Sequence, residues 1–249
     1  MTDAGEPMDS ARYPVWDHTV RLIHWYFPLA IGVMWWSGEQ GRMEIHAWVG
    51  YSLLICVLTR IVWGVIGSEA ARFNHFVRGP GEVQRYLKSG GHYAGHNPLG
   101  ALSVLALLAL LLSQTVSGTM SSDDILFEGP FAYWADDWSG VIGGWHETNW
   151  RLLQGFIALH LIAIGWYQWK KRQPLVQTMI RGHSDTRFSF SAPKPLWLSL
   201  LTAAIFSGVL WWLMTVAPEA PSYYYRPLAI TRGPWLLLEA LSDYWSLPA

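Results

Sequence analysis

Five long apolar stretches dominate this chain and leave few folds open to it. A helix crossing about 30 Å of hydrocarbon needs roughly 20 mainly apolar residues. Stretches of that kind lie at 19–36, 45–66, 98–120, 150–169 and 196–216. Lipid offers no partner to backbone N–H and C=O groups, so such stretches cross as helices. Of the 249 residues, 51% are hydrophobic and 14% charged, whereas ordinary soluble domains carry about a quarter charged residues. The chain also has 17 tryptophans, a residue that favours the bilayer–water boundary. A net charge of −1 argues against nucleic acid as a partner, because neutralising phosphates takes a basic excess. The first apolar run ends in Trp35-Trp36 rather than in small residues before a cleavage point, so it is expected to stay as a span.

Basic residues orient the spans. The second connection carries Arg72, Arg78, Arg85 and Lys88, and the fourth carries Lys170, Lys171, Arg172, Arg181, Arg187 and Lys194. The third, 121–149, has no Lys or Arg but holds Asp123, Asp124, Glu128, Asp136, Asp137 and Glu147. The N-terminus is therefore expected in the cytoplasm and the C-terminus outside. This predicts an all-α integral membrane protein, a four-helix bundle followed by a fifth span. Its parts are a cytoplasmic N-terminus (1–18), the bundle (19–172), a cytoplasmic loop (173–195), the fifth span (196–216) and an outer tail (217–249). In that tail the apolar run 235–241 is too short to cross and suits the membrane face or a partner.

Nine histidines are present. His75, His92, His96 and His183 fall in inner loops and His18 at the headgroup level, where solvated side chains are the ordinary reading. The other four fall in or at the mouths of spans, where a polar side chain is costly and marks function. His146 and His160 are 14 residues apart, nearly four helical turns, so in one helix they share a face about 21 Å apart along the axis. That requires the fourth helix to start before His146, which the His-Glu-Thr-Asn run after Gly143-Gly144 permits. Across the short first turn, His46 lies at the outer boundary and His24 about 20 Å below it by helical rise. Matching depths pairs His46 with His146 near the outside and His24 with His160 near the inside.

Two stacked b-type haems would take these pairs as axial ligands. Bis-histidine ligation leaves no open position for oxygen chemistry and favours electron transfer. The single cysteine, Cys56, and the absence of Cys-x-x-Cys-His make such haems non-covalent. Their propionates need cationic partners; Arg21, three residues before His24, is the nominee, ahead of Arg60 and Arg151, which suit snorkelling to an interface. Gly50, Gly64, Gly155 and Gly165 offer close approach, either to a flat macrocycle or between helices.

Several short motifs recur in an ordered series: Trp16-Asp17-x3-Arg21-x2-His24-Trp25, His46-x3-Gly50-Tyr51, Arg60-x2-Trp63-Gly64-x2-Gly67, Ala71-Arg72-Phe73 with Phe76, Gly95-His96-Asn97-Pro98, Gly129-Pro130-Phe131-Ala132, and His146-Glu147 with His160 after thirteen residues. In this order they resemble the prokaryotic cytochrome b561 family and the b-type cytochrome subunits of membrane-bound nickel–iron hydrogenases. The resemblance runs from Trp16 to about Trp169 and says little beyond Arg172. It implies that His24, His46, His146 and His160 ligate two haems and that a quinone is the membrane-soluble redox partner.

The resulting expectation is a di-haem cytochrome of the bacterial inner membrane. It would pass electrons between quinone and a periplasmic redox partner such as a c-type cytochrome, which the acidic outer loop would steer if the partner is basic. One alternative is a stand-alone quinone reductase oxidising a small periplasmic species such as superoxide. The other is a non-redox scaffold or transporter, which leaves the depth-matched histidines unexplained and lacks paired carboxylates in the spans.

Overall fold

The computed structural model describes residues 13–91, 93, 95–122, 127–184 and 190–218. The expectations placed on His92, Asp123, Asp124, Arg187 and the run 235–241 fall outside them. Every expected span is a helix. The first is α1, His18–Glu39, begun by Asp17, whose carboxylate accepts the Val20 amide at 2.8 Å, the usual N-cap arrangement. Pro28 lies inside it and has no N–H, so the His24 carbonyl loses its i→i−4 partner. A tight turn with Gly41 at φ +64° leads into α2, Met43–Ile66. Two short helices follow, α3 (Phe73–Phe76) and α4 (Pro80–Ser89). Then comes α5, Pro98–Met120, capped by the Asn97 side chain on the Gly100 amide, with Pro98 in its first turn where a missing N–H costs nothing.

After α6 (Ala132–Ala135) the chain enters α7, Ser139–Gly165. This helix starts well before position 150, so His146 is inside it, as the shared-face argument requires. Its end widens into a π turn over Trp166–Lys170. The chain continues through α8, Leu175–Arg181, to α9, Leu196–Val216. Among the described residues, α2, α5 and α9 are long and apolar enough to cross a membrane by themselves. The 22 residues of α1 and 27 of α7 are long enough but carry the charged and histidine side chains that lower their hydropathy.

The helices pack in sequence, α1 on α2, α2 on α5 and α5 on α7, with α9 laid against α2. Their shared centre is Ala30, Leu53, Val57, Leu111 and Leu153. Outward faces are apolar, with Leu29, Val65, Leu159, Ile162 and Trp197 exposed. Lipid is as apolar as leucine, so the bundle is held by close packing and interhelical hydrogen bonds more than by exclusion of water. Phe73 packs over Gly64 so closely that a Cβ there would overlap its ring, whereas Gly155 faces open space. Gly64 therefore serves chain packing.

The end carrying α4 and α8 is called inner, the other outer. At the inner end a small cap closes the bundle. Strand β1 (Tyr13–Pro14) pairs antiparallel with β2 (His183–Ser184), Tyr13 opposite Ser184. The Val15 and Trp16 amides both donate to the Gly182 carbonyl, at 2.9 and 3.1 Å. Gly182 has φ +82°, and a Cβ on it would lie 2.9 Å from the Trp16 carbonyl oxygen, so both backbone angle and space demand glycine. Below this, Val15, Trp16, Val20, Trp63, Ala70 and Ala71 form a second core. The Trp63 indole donates to Asp17 at 2.9 Å, and Thr19 donates to Ser199 at 2.8 Å. Ser199 is the buried residue of α9, so this hydroxyl pair pins a helix whose other faces look outward.

Candidate functional site

The outer histidines meet. His46, in the first turn of α2, and His146, two turns into α7, have ring centres 6.4 Å apart at an interplanar angle of 70°. Each ring is held by its Nδ1. For His46 the partners are the Met34 carbonyl at 3.0 Å and the Ser37 hydroxyl at 3.3 Å. For His146 it is the Ser117 hydroxyl at 3.1 Å. The Nε2 of His146 meets the Gln114 amide at 3.0 Å, and Gln114 in turn accepts from the buried Asn149 at 2.6 Å. Gly118 makes room for this: a Cβ there would sit 2.9 Å from the His146 ring, while one on Gly38 would reach the His46 ring at an ordinary 3.5 Å.

The inner histidines are His24 on α1 and His160 on α7. The Nδ1 of His160 meets the Ser103 hydroxyl at 3.2 Å. The Nδ1 of His24 is buried without a hydrogen-bond partner, and its ring stands edge-on to Trp25 at 5.2 Å. The structure thus brings His46 and His146 together at the outer end, with His24 on α1 and His160 on α7 beyond the apolar centre. Among the described residues no three His, Cys, Asp or Glu side chains gather, so these are paired sites rather than a clustered metal centre.

The arginines divide differently from expectation. Arg21 donates from Nε to the Met179 carbonyl at 3.3 Å and from Nη2 to that of Ile180, tying α1 to the C-terminal turn of α8, where cations are favoured. Arg151 pairs with Glu147 one turn earlier on an exposed face of α7. Arg60 does not snorkel: it is buried, with Nη1 donating to the Ala71 carbonyl at 3.3 Å and its guanidinium over Phe73.

His96 is not the solvated loop histidine that its position suggests. Its ring packs between Trp16 at 4.7 Å and Phe76 at 4.6 Å, and its Nδ1 is buried without a partner. Burial, then the charges of Arg60, His24 and His160, push its pKa down to about 3. His75, by contrast, keeps a half-exposed setting beside Glu69 at 3.7 Å. Sequence reasoning also passed over Ser103, Gln114 and Ser117. Their signal was available: Ser103 and Ser117 are 14 residues apart on α5, the same interval as His160 and His146 on the antiparallel α7.

A bis-imidazole haem site fits these residues. Two metal–nitrogen bonds of about 2 Å, with about 1 Å from each nitrogen to its ring centre, together span about 6 Å, close to the outer separation. Ligating imidazoles ordinarily have the other ring nitrogen hydrogen-bonded, which fixes tautomer and orientation; His46, His146 and His160 already do.

Bundle and paired imidazoles together define a polytopic helical membrane protein of the haem-binding kind. A model of the family described as prokaryotic cytochrome b561 matches residues 15–182, and the chain belongs to that family of b-type, electron-transferring cytochromes. It is similar to a probable Ni/Fe-hydrogenase B-type cytochrome subunit of Azotobacter chroococcum, 26% identical over 68% of this chain and 86% of the relative. It is also similar to a protein of the same description from Bradyrhizobium diazoefficiens, 23% identical over 70% of this chain and 86% of the relative. No solved structure matches significantly.

Proposed function

We propose that the chain is a di-haem cytochrome b carrying electrons between a membrane quinone and a redox enzyme docked outside the bacterial inner membrane. In this reading five helices span, the N-terminus is cytoplasmic and the C-terminus periplasmic. His46 and His146 hold the outer haem and His24 and His160 the inner one. The observation that carries it is the outer pair: two imidazoles from different helices, 6.4 Å apart, each anchored through Nδ1. When bound, haem supplies reversible one-electron iron chemistry.

The chain's own residues set the terms of that chemistry. His24, His46, His146 and His160 would hold the haems and leave no position for oxygen, so the chemistry supplied would be electron transfer. Ser103, Ser117 and the Met34 carbonyl each hold a ring by its Nδ1, the nitrogen that a metal-bound imidazole ordinarily gives to a hydrogen bond. Gln114 has to release the Nε2 of His146 for that nitrogen to bind. Ala30, Leu53, Val57, Leu111 and Leu153 keep water out between the two ends. Arg21 adds positive charge at the inner end, through whatever donors α8 does not take. The two relatives support a hydrogenase-type partner, since both are described as Ni/Fe-hydrogenase subunits.

The test is a reduced-minus-oxidised optical spectrum of the purified protein with haem counted per chain. Two low-spin b-type haems are expected, His46→Ala and His146→Ala each removing one and His24→Ala and His160→Ala the other. One haem in the parent protein overturns the pairing. No haem overturns the function.

A further inference from the structure

The inner end holds a buried cation with no carboxylate at ion-pair distance. Arg60 is 5% exposed, and its guanidinium has five N–H donors. Among the described residues its hydrogen bond is the one to the Ala71 carbonyl, and the ion pairs formed at that end, His75–Glu69 and Arg85–Glu82, involve other side chains. Asp17, whose charge reaches Arg60, has its oxygens on the Val20 amide and the Trp63 indole. Arginine is almost never fully buried unless paired, so this guanidinium is suited to a further anion.

Aromatic contacts show where. Arg60 lies 5.5 Å from the centre of the Phe73 ring. Phe73 touches Phe76 at 5.8 Å, and Phe76 touches His96 at 4.6 Å. His96, placed just before α5, presents the buried, unpartnered Nδ1. His24, on α1, has the same deficit. Side chains from α1, α2 and the entry to α5 thus bring one charge and two unmet imidazole nitrogens to a single end of the bundle.

We propose that Arg60 and His96 are the cradle for the carboxylate groups of the inner haem, Arg60 supplying the charge and His96 a second hydrogen bond. The proposal rests on the di-haem reading. It moves the counter-charge from Arg21, whose guanidinium is turned to the Met179 and Ile180 carbonyls, to a buried cation whose hydrogen bond goes to one carbonyl. A carboxylate facing a guanidinium in a low-dielectric site makes a strong charge-assisted bond. Removing the cation should make the oxidised, more positive iron relatively more stable.

The experiment is an optical redox titration of the full-length protein with both haems, the inner one identified as that lost in His24→Ala. Arg60→Gln is expected to shift the inner haem's reduction equilibrium about tenfold toward the oxidised form, 59 mV for one electron, and leave the outer haem in place. Arg60→Lys should recover most of the shift, and Arg21→Gln should produce less than about a third of it. An unchanged inner potential in Arg60→Gln overturns the proposal and leaves Arg60 to a lipid headgroup. The dimethyl ester of the porphyrin, which has no free carboxylates, should leave the inner site of the parent protein faster than haem does, and Arg60→Gln should then add no further increase; an increase that persists overturns the contact. If Arg60→Gln fails to accumulate, His96→Leu decides, with about tenfold faster loss of the inner haem to a scavenging protein expected and an unchanged rate counting against the cradle. A parent protein without haem fails the proposed function before any variant is compared.

Discussion

The two ends of the bundle use the same chemistry in opposite states of completion. At the outer end, His46 and His146 both have protein partners on Nδ1, and Gln114 and Asn149 extend the network behind them. At the inner end, His24, His96 and Thr59 each bury a polar atom without a partner, beside a guanidinium with no carboxylate. A buried unsatisfied polar group costs about 1–3 kcal/mol. The outer end has both its rings hydrogen-bonded, with the Asn149 Oδ1 as its own unpartnered atom, while the inner end leaves two imidazole nitrogens unmet.

The largest test of that contrast is haem depletion. In cells blocked for haem synthesis, hydrogen exchange is expected to rise most around His24, Arg60 and His96 and least around His46 and Ser117; equal loosening at both ends would erase the distinction. Next is the steric limit at the outer pair. Gly118→Ala forces the His146 ring to move, at a cost of about 1–3 kcal/mol as overpacking usually incurs, with a changed outer-haem spectrum and an intact inner one. Gly38→Ala, with an ordinary 3.5 Å contact to His46, should be nearly silent in the same spectra.

Smaller still are the paired serines. Removing a partner that orients a metal ligand typically weakens metal binding about 10–100-fold. Ser117→Ala should therefore weaken only the outer haem and Ser103→Ala only the inner, measured as haem loss to a scavenger. Cross-effects would mean that the two sites are not separable.

The least effect belongs to the inner cap. The Ser191 amide, donating at 2.9 Å, holds the Glu69 carboxyl below its usual range, helped by His75 and Arg72. A carboxylate whose folded pKa is depressed adds stability above its unfolded pKa and loses it as pH falls through the folded value. Glu69 is exposed to water, so the effect is small. Glu69→Gln should flatten the acid side of a Tm-against-pH curve slightly and leave the haem spectra unaltered.

Much of this was legible in the chain. The five apolar runs gave the five helices, because lipid permits a backbone no other local solution. The 14-residue interval between His146 and His160 gave a shared face, because helical pitch is fixed. What escaped depends on folding back. Nothing near His96 in sequence announces Trp16 and Phe76 around it; those arrive from α1's lead-in and from α3. Arg21 looked like a counter-charge because it stands near His24, yet its partners lie on α8, over 150 residues away. Ser103 and Ser117 were readable in principle, since two hydroxyls on one stripe of an apolar span repeat the histidine interval, but only once α5 is known to run antiparallel beside α7.

The short β1–β2 pair also fixes an order of events in time. The first described residues are fastened by the carbonyl of Gly182, by those of Met179 and Ile180 through Arg21, and by Ser199 through Thr19. None of these acceptors exists until most of the chain has been synthesised. While the ribosome is still making the intervening spans, the mouth beside His24 and His96 has no latch. The inner cap can thus close only once the chain has been made as far as Ser199.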